Sequence, residues 1–173
     1  VEIIGEDEKV PVTLIDTAGL RRRRQVDTPV EFFSVVRAES AVKRCDVALL
    51  VLDATQPATS QDRRIARMIL DQEKACIIVA NKWDLACKDL KLRELRAFLR
   101  ERMAFMNFAP VIGISALSGY NVPDIVEHLM RLREQMEVTI PTAVFNQFIR
   151  DTVGRTPPPA VAKRQFKVFY GTM

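Results

Sequence analysis

The 173 residues are enough for one domain, or one domain and part of another, with a sizeable buried core. Apolar and charged fractions are ordinary for a water-soluble protein, and the longest apolar runs, VALLVL and ACIIVA, are too short to span a bilayer. The net charge of +4 is unevenly placed: residues 131–173 hold Arg131, Arg133, Arg150, Arg155, Lys163, Arg164 and Lys167 against Glu134, Glu137 and Asp151, which leaves residues 1–130 balanced. An anionic partner for the tail is one reading of this excess, and a solvated basic face is the other. Cys45, Cys76 and Cys87 are odd in number and lack metal-ligand spacing, as expected of reduced cysteines in a cytoplasmic protein. The start on Val-Glu-Ile-Ile, without Met or signal peptide, reads as the interior of a longer chain.

In chain order, Val1–Ile4 and Val10–Ile15 are β-rich runs around GEDEK and predict a hairpin. Glu31–Arg44 predicts an amphipathic helix with Phe32, Val35, Val36 and Val42 along one side. DVALLVLDA predicts a strand buried on both faces. Ser60 is the expected cap of a helix from Gln61 to about Gln72, with Ile65, Met68 and Ile69 turned inward. ACIIVANKWDL predicts a second buried strand and a polar turn. Leu90–Met106 predicts a charged amphipathic helix, PVIGISALSG a third strand with a loop, and Val122–Glu137 a further helix. Alternating strands and helices predict an α/β domain with a mainly parallel sheet, whose ligands sit beyond the C-terminal strand ends. After Glu137 the pattern changes: a short helix opened by Pro141, the stiff connector TPPPA, and RQFKVFYGTM with the alternation of a half-buried strand.

Three turns follow three strand ends. Asp16-Thr17-Ala18-Gly19 follows Ile15; its carboxylate can hold the water shell of Mg²⁺, and Gly19 lets a backbone N–H approach a phosphate. Asn81-Lys82-Trp83-Asp84 follows ACIIVA. Asp84 can accept two parallel hydrogen bonds from the ring N–H and exocyclic amine of guanine, a donor pair that adenine lacks. The Lys82 stem can lie on a base plane while its head stays wet, and the Asn81 amide can pin neighbouring loops. Ser115-Ala116-Leu117 follows PVIGI and can offer backbone N–H groups to a base oxo group. Each turn alone is also an ordinary strand-end turn; their shared position and order point to one site.

DTAG, NKWD and SAL resemble the third, fourth and fifth motifs of translation-factor-type P-loop GTPases. LIDTAGLRRRR, SVVRAESAVKRCDVALLVLDAT, IIVANKWDL and APVIGISALSGYNV resemble more closely the second GTPase domain of the Der (EngA) family of bacterial ribosome-assembly GTPases. FNQFIRDTVGRTPPP and RQFKVFYGT resemble the opening of the KH-like domain that ends members of that family. The resemblance implies a three-layer P-loop GTPase-type sheet over residues 1–138 and the N-terminal part of a small α+β KH-like domain over 139–173. It implies GTP/GDP and Mg²⁺ as ligands, with Asp16 reaching the metal through water. Asp16, Thr17, Ala18, Gly19 and Leu20 would lie at the γ-phosphate, Asn81, Lys82, Trp83 and Asp84 at guanine, and Ser115, Ala116 and Leu117 at its oxo group. Residues from Leu20 to about Glu31, including Arg21–Arg24, would form a switch. The implied partners are the large ribosomal subunit with its rRNA and an upstream G domain in the parent chain, with neither membrane nor DNA.

Departures from the family pattern bear on activity. No G-x-x-x-x-G-K-[ST] loop occurs in these residues, and the strand before it would lie mid-sheet. GTPase activity is therefore expected of the parent protein, and little or none of the isolated 173 residues. Leu20 stands where Ras-type enzymes place a water-orienting Gln. The family associates a potassium ion (K⁺) with that role, but no catalytic residue is assigned here. The KH-like part shows no G-x-x-G, which argues against ordinary KH-type RNA clamping. Two alternatives stay open: a non-enzymatic ribosome- or RNA-binding module, and an Era-like GTPase, whose third motif usually has Pro in place of Ala18.

Overall fold

The computed structural model describes residues 2–4, 9–15, 38–156 and 171. The DTAG turn, Arg21–Arg24, the first part of the expected 31–44 helix, TPPPA and most of the last expected strand lie outside them. The chain divides into two compact units, Val1–Leu132 and Arg133–Met173.

In the first unit, β1 (Glu2–Ile4) pairs antiparallel with β2 (Lys9–Pro11), Ile3 opposite Val10. The expected second strand ran to Ile15, but the strand ends at Pro11, which pairs with Glu2. Residues 38–44 are helical (α1) and bury Ala38, Ala41 and Val42. The main sheet is parallel, in the order β3 (Val47–Asp53), β4 (Ala75–Asn81), β5 (Val111–Gly113). Between the strands run α2 (Ser60–Asp71), the single turn α3 (Trp83–Ala86) and α4 (Leu92–Arg102), and α5 (Val122–Glu137) follows the sheet.

Two cores make the three layers. On one face, Leu50, Leu52, Cys76, Ile78 and Ala80 pack against Ala66 and Ile69 of α2 and Leu95 and Leu99 of α4. On the other, Ile77, Val79, Ile112 and Ile114 meet Ile125, Leu129 and Leu132 of α5. β4 is therefore buried on both faces, as its unbroken apolar run requires. β3 departs from expectation: Leu50 and Leu52 are buried, but Leu49 and Val51 are exposed on its other face, Val51 by 58%. An apolar run reports only that a strand can be buried twice; whether it is depends on what covers each face.

Helix ends also shift for local reasons. Thr59, not Ser60, caps α2. Its hydroxyl accepts from the Asp62 N–H, and the Asp62 carboxylate accepts from the Thr59 N–H at 2.8 Å, a reciprocal capping box. The helix expected to reach Met106 stops at Arg102. Met103 leaves helical geometry at φ −136°, ψ 52°, and a short 3₁₀ turn, Ala104–Met106, follows. Met103 and Met106 are both buried, so the break turns the chain toward β5 without losing core.

In the second unit, α6 (Thr142–Arg155) opens after Pro141 as its sequence predicts. The Asn146 amide accepts from the Gly171 N–H and donates to the Gly171 carbonyl, both at 2.9 Å. A Cβ on Gly171 would meet the Phe145 ring at 2.8 Å, so a larger residue there would have to displace that ring.

Candidate functional site

β3, β4 and β5 run parallel, so their C-terminal ends share one side of the first unit. Backbone pairing carries past the strands: the Ala54 N–H donates to the Asn81 carbonyl at 2.8 Å, and the Ile114 N–H to the Ala80 carbonyl at 2.9 Å. The 81–84 and 115–117 turns are thereby brought together. The 16–20 turn, and with it the metal-binding expectation for Asp16, lies outside the described residues.

Asn81 joins the two turns. Its Oδ1 accepts from the Lys82 N–H at 2.8 Å and from the Ala116 N–H, 35 residues away in sequence, at 3.0 Å. Lys82 is left-handed, at φ 63°, ψ 34°, a conformation that costs a side-chain-bearing residue about 1–2 kcal/mol. That twist starts α3 one residue later and places Asp84 in its first turn. The Asp84 side chain has no hydrogen bond or ion pair among the described residues, although Asp84 is half-buried. A carboxylate so placed has its full accepting capacity left for a ligand.

Trp83 goes the other way. It is buried in the core, its N–H donates to the Ile114 carbonyl at 2.9 Å, and its ring lies over Gly113, where a Cβ would come within 2.8 Å. Its part in the turn is to anchor it to β5, and its side chain does not face the strand-end side chains.

Ser115 is also structural. It is buried; its N–H donates to the Tyr120 carbonyl at 3.1 Å, its carbonyl accepts from Gly119, and its hydroxyl accepts from the Ser118 N–H. Gly119 at φ +79° and Asn121 at φ 54° allow this tight return, and the Asn121 amide donates to the Gly113 carbonyl. The Ala116 N–H, expected to face a base oxo group, is engaged by Asn81; a ligand oxygen would have to share it or displace that bond. Leu117 is 92% exposed at the rim.

The sequence reading passed over Asp53, the last residue of β3 and the register partner of Asn81. Its Oδ1 accepts from the Thr55 N–H at 2.9 Å and the Thr55 hydroxyl at 2.6 Å, and its Oδ2 from Lys82 Nζ at 2.5 Å. Burial pushes the Asp53 pKa up, but the hydrogen bonds from Lys82 and Thr55 outweigh it, and the carboxyl titrates below its ordinary value. An acid closing an apolar strand, at the sheet end where ligands collect, is a signal that could have singled it out.

Among the described residues no group of three or more His, Cys, Asp or Glu side chains could hold a metal ion, and no helix is long and apolar enough to cross a membrane. Cys76, in the core, has its thiol pushed up to about 12 by burial.

Residues 6–135 match the family model described as the elongation factor Tu GTP binding domain. Curated relatives named GTPase Der include those of Desulforamulus reducens, 44% identical over 92% of this chain, Chloroflexus aggregans, 42% over 88%, and Moorella thermoacetica, 41% over 97%. The chain spans only 36%, 34% and 38% of those relatives' lengths. Among solved structures, a probable GTP-binding protein engB is similar at TM-score 0.59 and 19% identity, over 78% of this chain and 82% of that one. Aquifex aeolicus Era bound to GDP·AlF4⁻ is similar at TM-score 0.54 and 25% identity, over 67% of this chain and 38% of that one. Era in complex with MgGDPNP and nucleotides 1506–1542 of 16S ribosomal RNA is similar at TM-score 0.55.

Proposed function

The chain belongs to the elongation factor Tu GTP-binding domain family, and on that premise we propose that it is the base-recognising part of a protein that binds and hydrolyses GTP. The observation that carries the reading is the joined pair of turns: Asn81 ties 81–84 to 115–117 while the Asp84 side chain stays without a partner among the described residues. Guanine would give its ring N–H and exocyclic amine to Asp84, and its oxo group would share the Ala116 amide with Asn81. The Lys82 stem would cover one base face, with Leu117 at the rim. Trp83 and Ser115 hold the turns rather than touch the base.

Mg²⁺, bound through water by Asp16, would neutralise the phosphates. Its support is the MgGDPNP in the Era complex, and a potassium ion rests on resemblance to Der alone. The hydrolytic residues, an upstream G domain and the phosphate-cradling loop are assigned to the longer protein. The 139–173 part is read as the opening of a KH-like domain. An RNA partner is supported by the basic excess of residues 131–173 and by the ribosomal RNA bound to the similar Era. A role in ribosome assembly at the large subunit, in the cytoplasm, is part of the proposal and rests on the resemblance of the sequence to the Der family.

The test is calorimetry on the protein at the full length of its relatives, with GDP, IDP and ADP. GDP is expected to bind most tightly. IDP, which lacks the exocyclic amine, should lose at least about tenfold, and ADP more. Equal affinity for GDP and ADP, or no binding of either, overturns the reading.

A further inference from the structure

Asp53 lies outside the three nucleotide motifs DTAG, NKWD and SAL, yet it makes the one long-range side-chain ion pair at the strand ends among the described residues. We propose that Asp53 is a positioning residue for the nucleotide site, pinning the Lys82 ammonium so that the lysine stem is held as a preformed platform for the flat face of the base. The inference rests on the guanine-nucleotide reading above and adds to it a residue and a role.

Three features support it. First, the carboxylate is divided between two tasks. Oδ1 is fixed by the Thr55 N–H and hydroxyl in the turn that leaves β3, which orients Oδ2 toward β4, where Lys82 Nζ meets it at 2.5 Å. A carboxylate held by its own turn loses little further freedom on pairing, which is where most surface ion pairs fail.

Second, Lys82 is constrained at both ends. Its N–H is held by Asn81 Oδ1, its backbone is left-handed, and its head is tied to Asp53. A free lysine carries large rotamer entropy, and ordering its stem only when a base arrives would subtract from binding. With head and backbone fixed beforehand, that cost falls on folding instead.

Third, the register makes the pairing geometric rather than incidental. Asp53 and Asn81 are opposite each other as the last residues of adjacent parallel strands, and the Ala54 N–H to Asn81 carbonyl bond carries the alignment one step further. The lysine next to Asn81 is thus delivered to Asp53 by the sheet itself. The pair is half exposed, with side-chain exposures of 55% and 35%, so its effect on overall stability is small and its value lies in orientation.

The test is a double-mutant cycle on GDP affinity in the protein at the full length of its relatives. Asp53→Asn keeps shape and the Thr55 bonds but removes the charge, and should weaken GDP about threefold to fivefold. Lys82→Ala should weaken it more, and adding Asp53→Asn to Lys82→Ala should change nothing further, because the only lysine to be positioned is gone. Asp53→Glu should restore part of the affinity. Additive losses, or GDP affinity unchanged in Asp53→Asn while Lys82→Ala weakens it, overturn the proposal. If Asp84→Ala and Lys82→Ala both bind GDP as the parent does, the guanine reading itself fails, and the proposal with it. As a measurement independent of affinity, the Lys82 ammonium ¹⁵N resonance in the same full-length protein should be protected from solvent exchange and lose that protection in Asp53→Asn. An ammonium that exchanges equally fast in both overturns the proposal.

Discussion

Replacing Asn81 by Ala removes the one oxygen that spans the two turns. Two backbone amides, Lys82 and Ala116, lose their acceptor at 2.8 and 3.0 Å. A hydrogen bond of this kind contributes about 0.5–1.5 kcal/mol net, so the pair together amounts to about 2 kcal/mol. The left-handed Lys82 also loses the contact that offsets its conformational cost. For a chain of this size that lowers the thermal midpoint by about 4–8 °C. Amide hydrogen exchange locates the effect: Ala116 and Lys82 should exchange much faster, while Ile77, in the middle of β4, should follow only the change in global stability. Asn81→Asp is the control. A carboxylate still accepts both amide protons, so protection at Ala116 should persist even though the side chain can no longer donate. Unchanged Ala116 exchange in Asn81→Ala would refute the reasoning, whatever happens to the midpoint.

Gly113→Ala places a methyl 2.8 Å from the Trp83 ring and should cost about 1–3 kcal/mol by overpacking. Trp83 is the chain's one tryptophan, so a red-shifted emission would report its displacement directly. Alkylation at neutral pH should modify exposed Cys87 first and spare Cys76, whose buried thiol titrates near 12 and is almost wholly protonated. Mass spectrometry after limited alkylation checks the order. Because the Asp53 carboxyl titrates below its ordinary value when folded, its contribution is fully present above the ordinary value of 3.8 and is lost as pH falls through the lower folded value. The stability difference between wild type and Asp53→Asn should accordingly be flat from pH 5 to 8 and shrink only at more acid pH, as denaturation at stepped pH would show.

The strand ends were legible because apolar runs bounded by polar turns report parallel strands, and all three runs in 47–113 are strands. The bounds of α5 were legible for the same reason: periodicity is continuous from Val122 to Glu137. What escaped depends on partners far apart in sequence. The Asp53–Lys82 pair spans 29 residues and exists because of the Asp53–Asn81 register, which no local pattern encodes. The inward turn of Trp83 depends on Gly113 having no side chain, and the occupation of the Ala116 amide on the reach of Asn81. The one-sided burial of β3 was likewise invisible, since a run of Val and Leu reads alike whether one face is covered or both. The choice of Thr59 over Ser60 as cap turned on Asp62 standing three residues after it, a local signal that was available.

Guanine recognition by Asp84 is the central claim, and changing its acceptor to a donor tests it most directly. In the protein at the full length of its relatives, Asp84→Asn should weaken guanine nucleotides and favour xanthine nucleotides, because the amide presents an N–H where the carboxylate accepted and xanthine presents an oxygen where guanine donates. Competition between GDP and XDP for one site reads the exchange as a reversal of preference. A mutant that still prefers GDP as the wild type does would contradict the account.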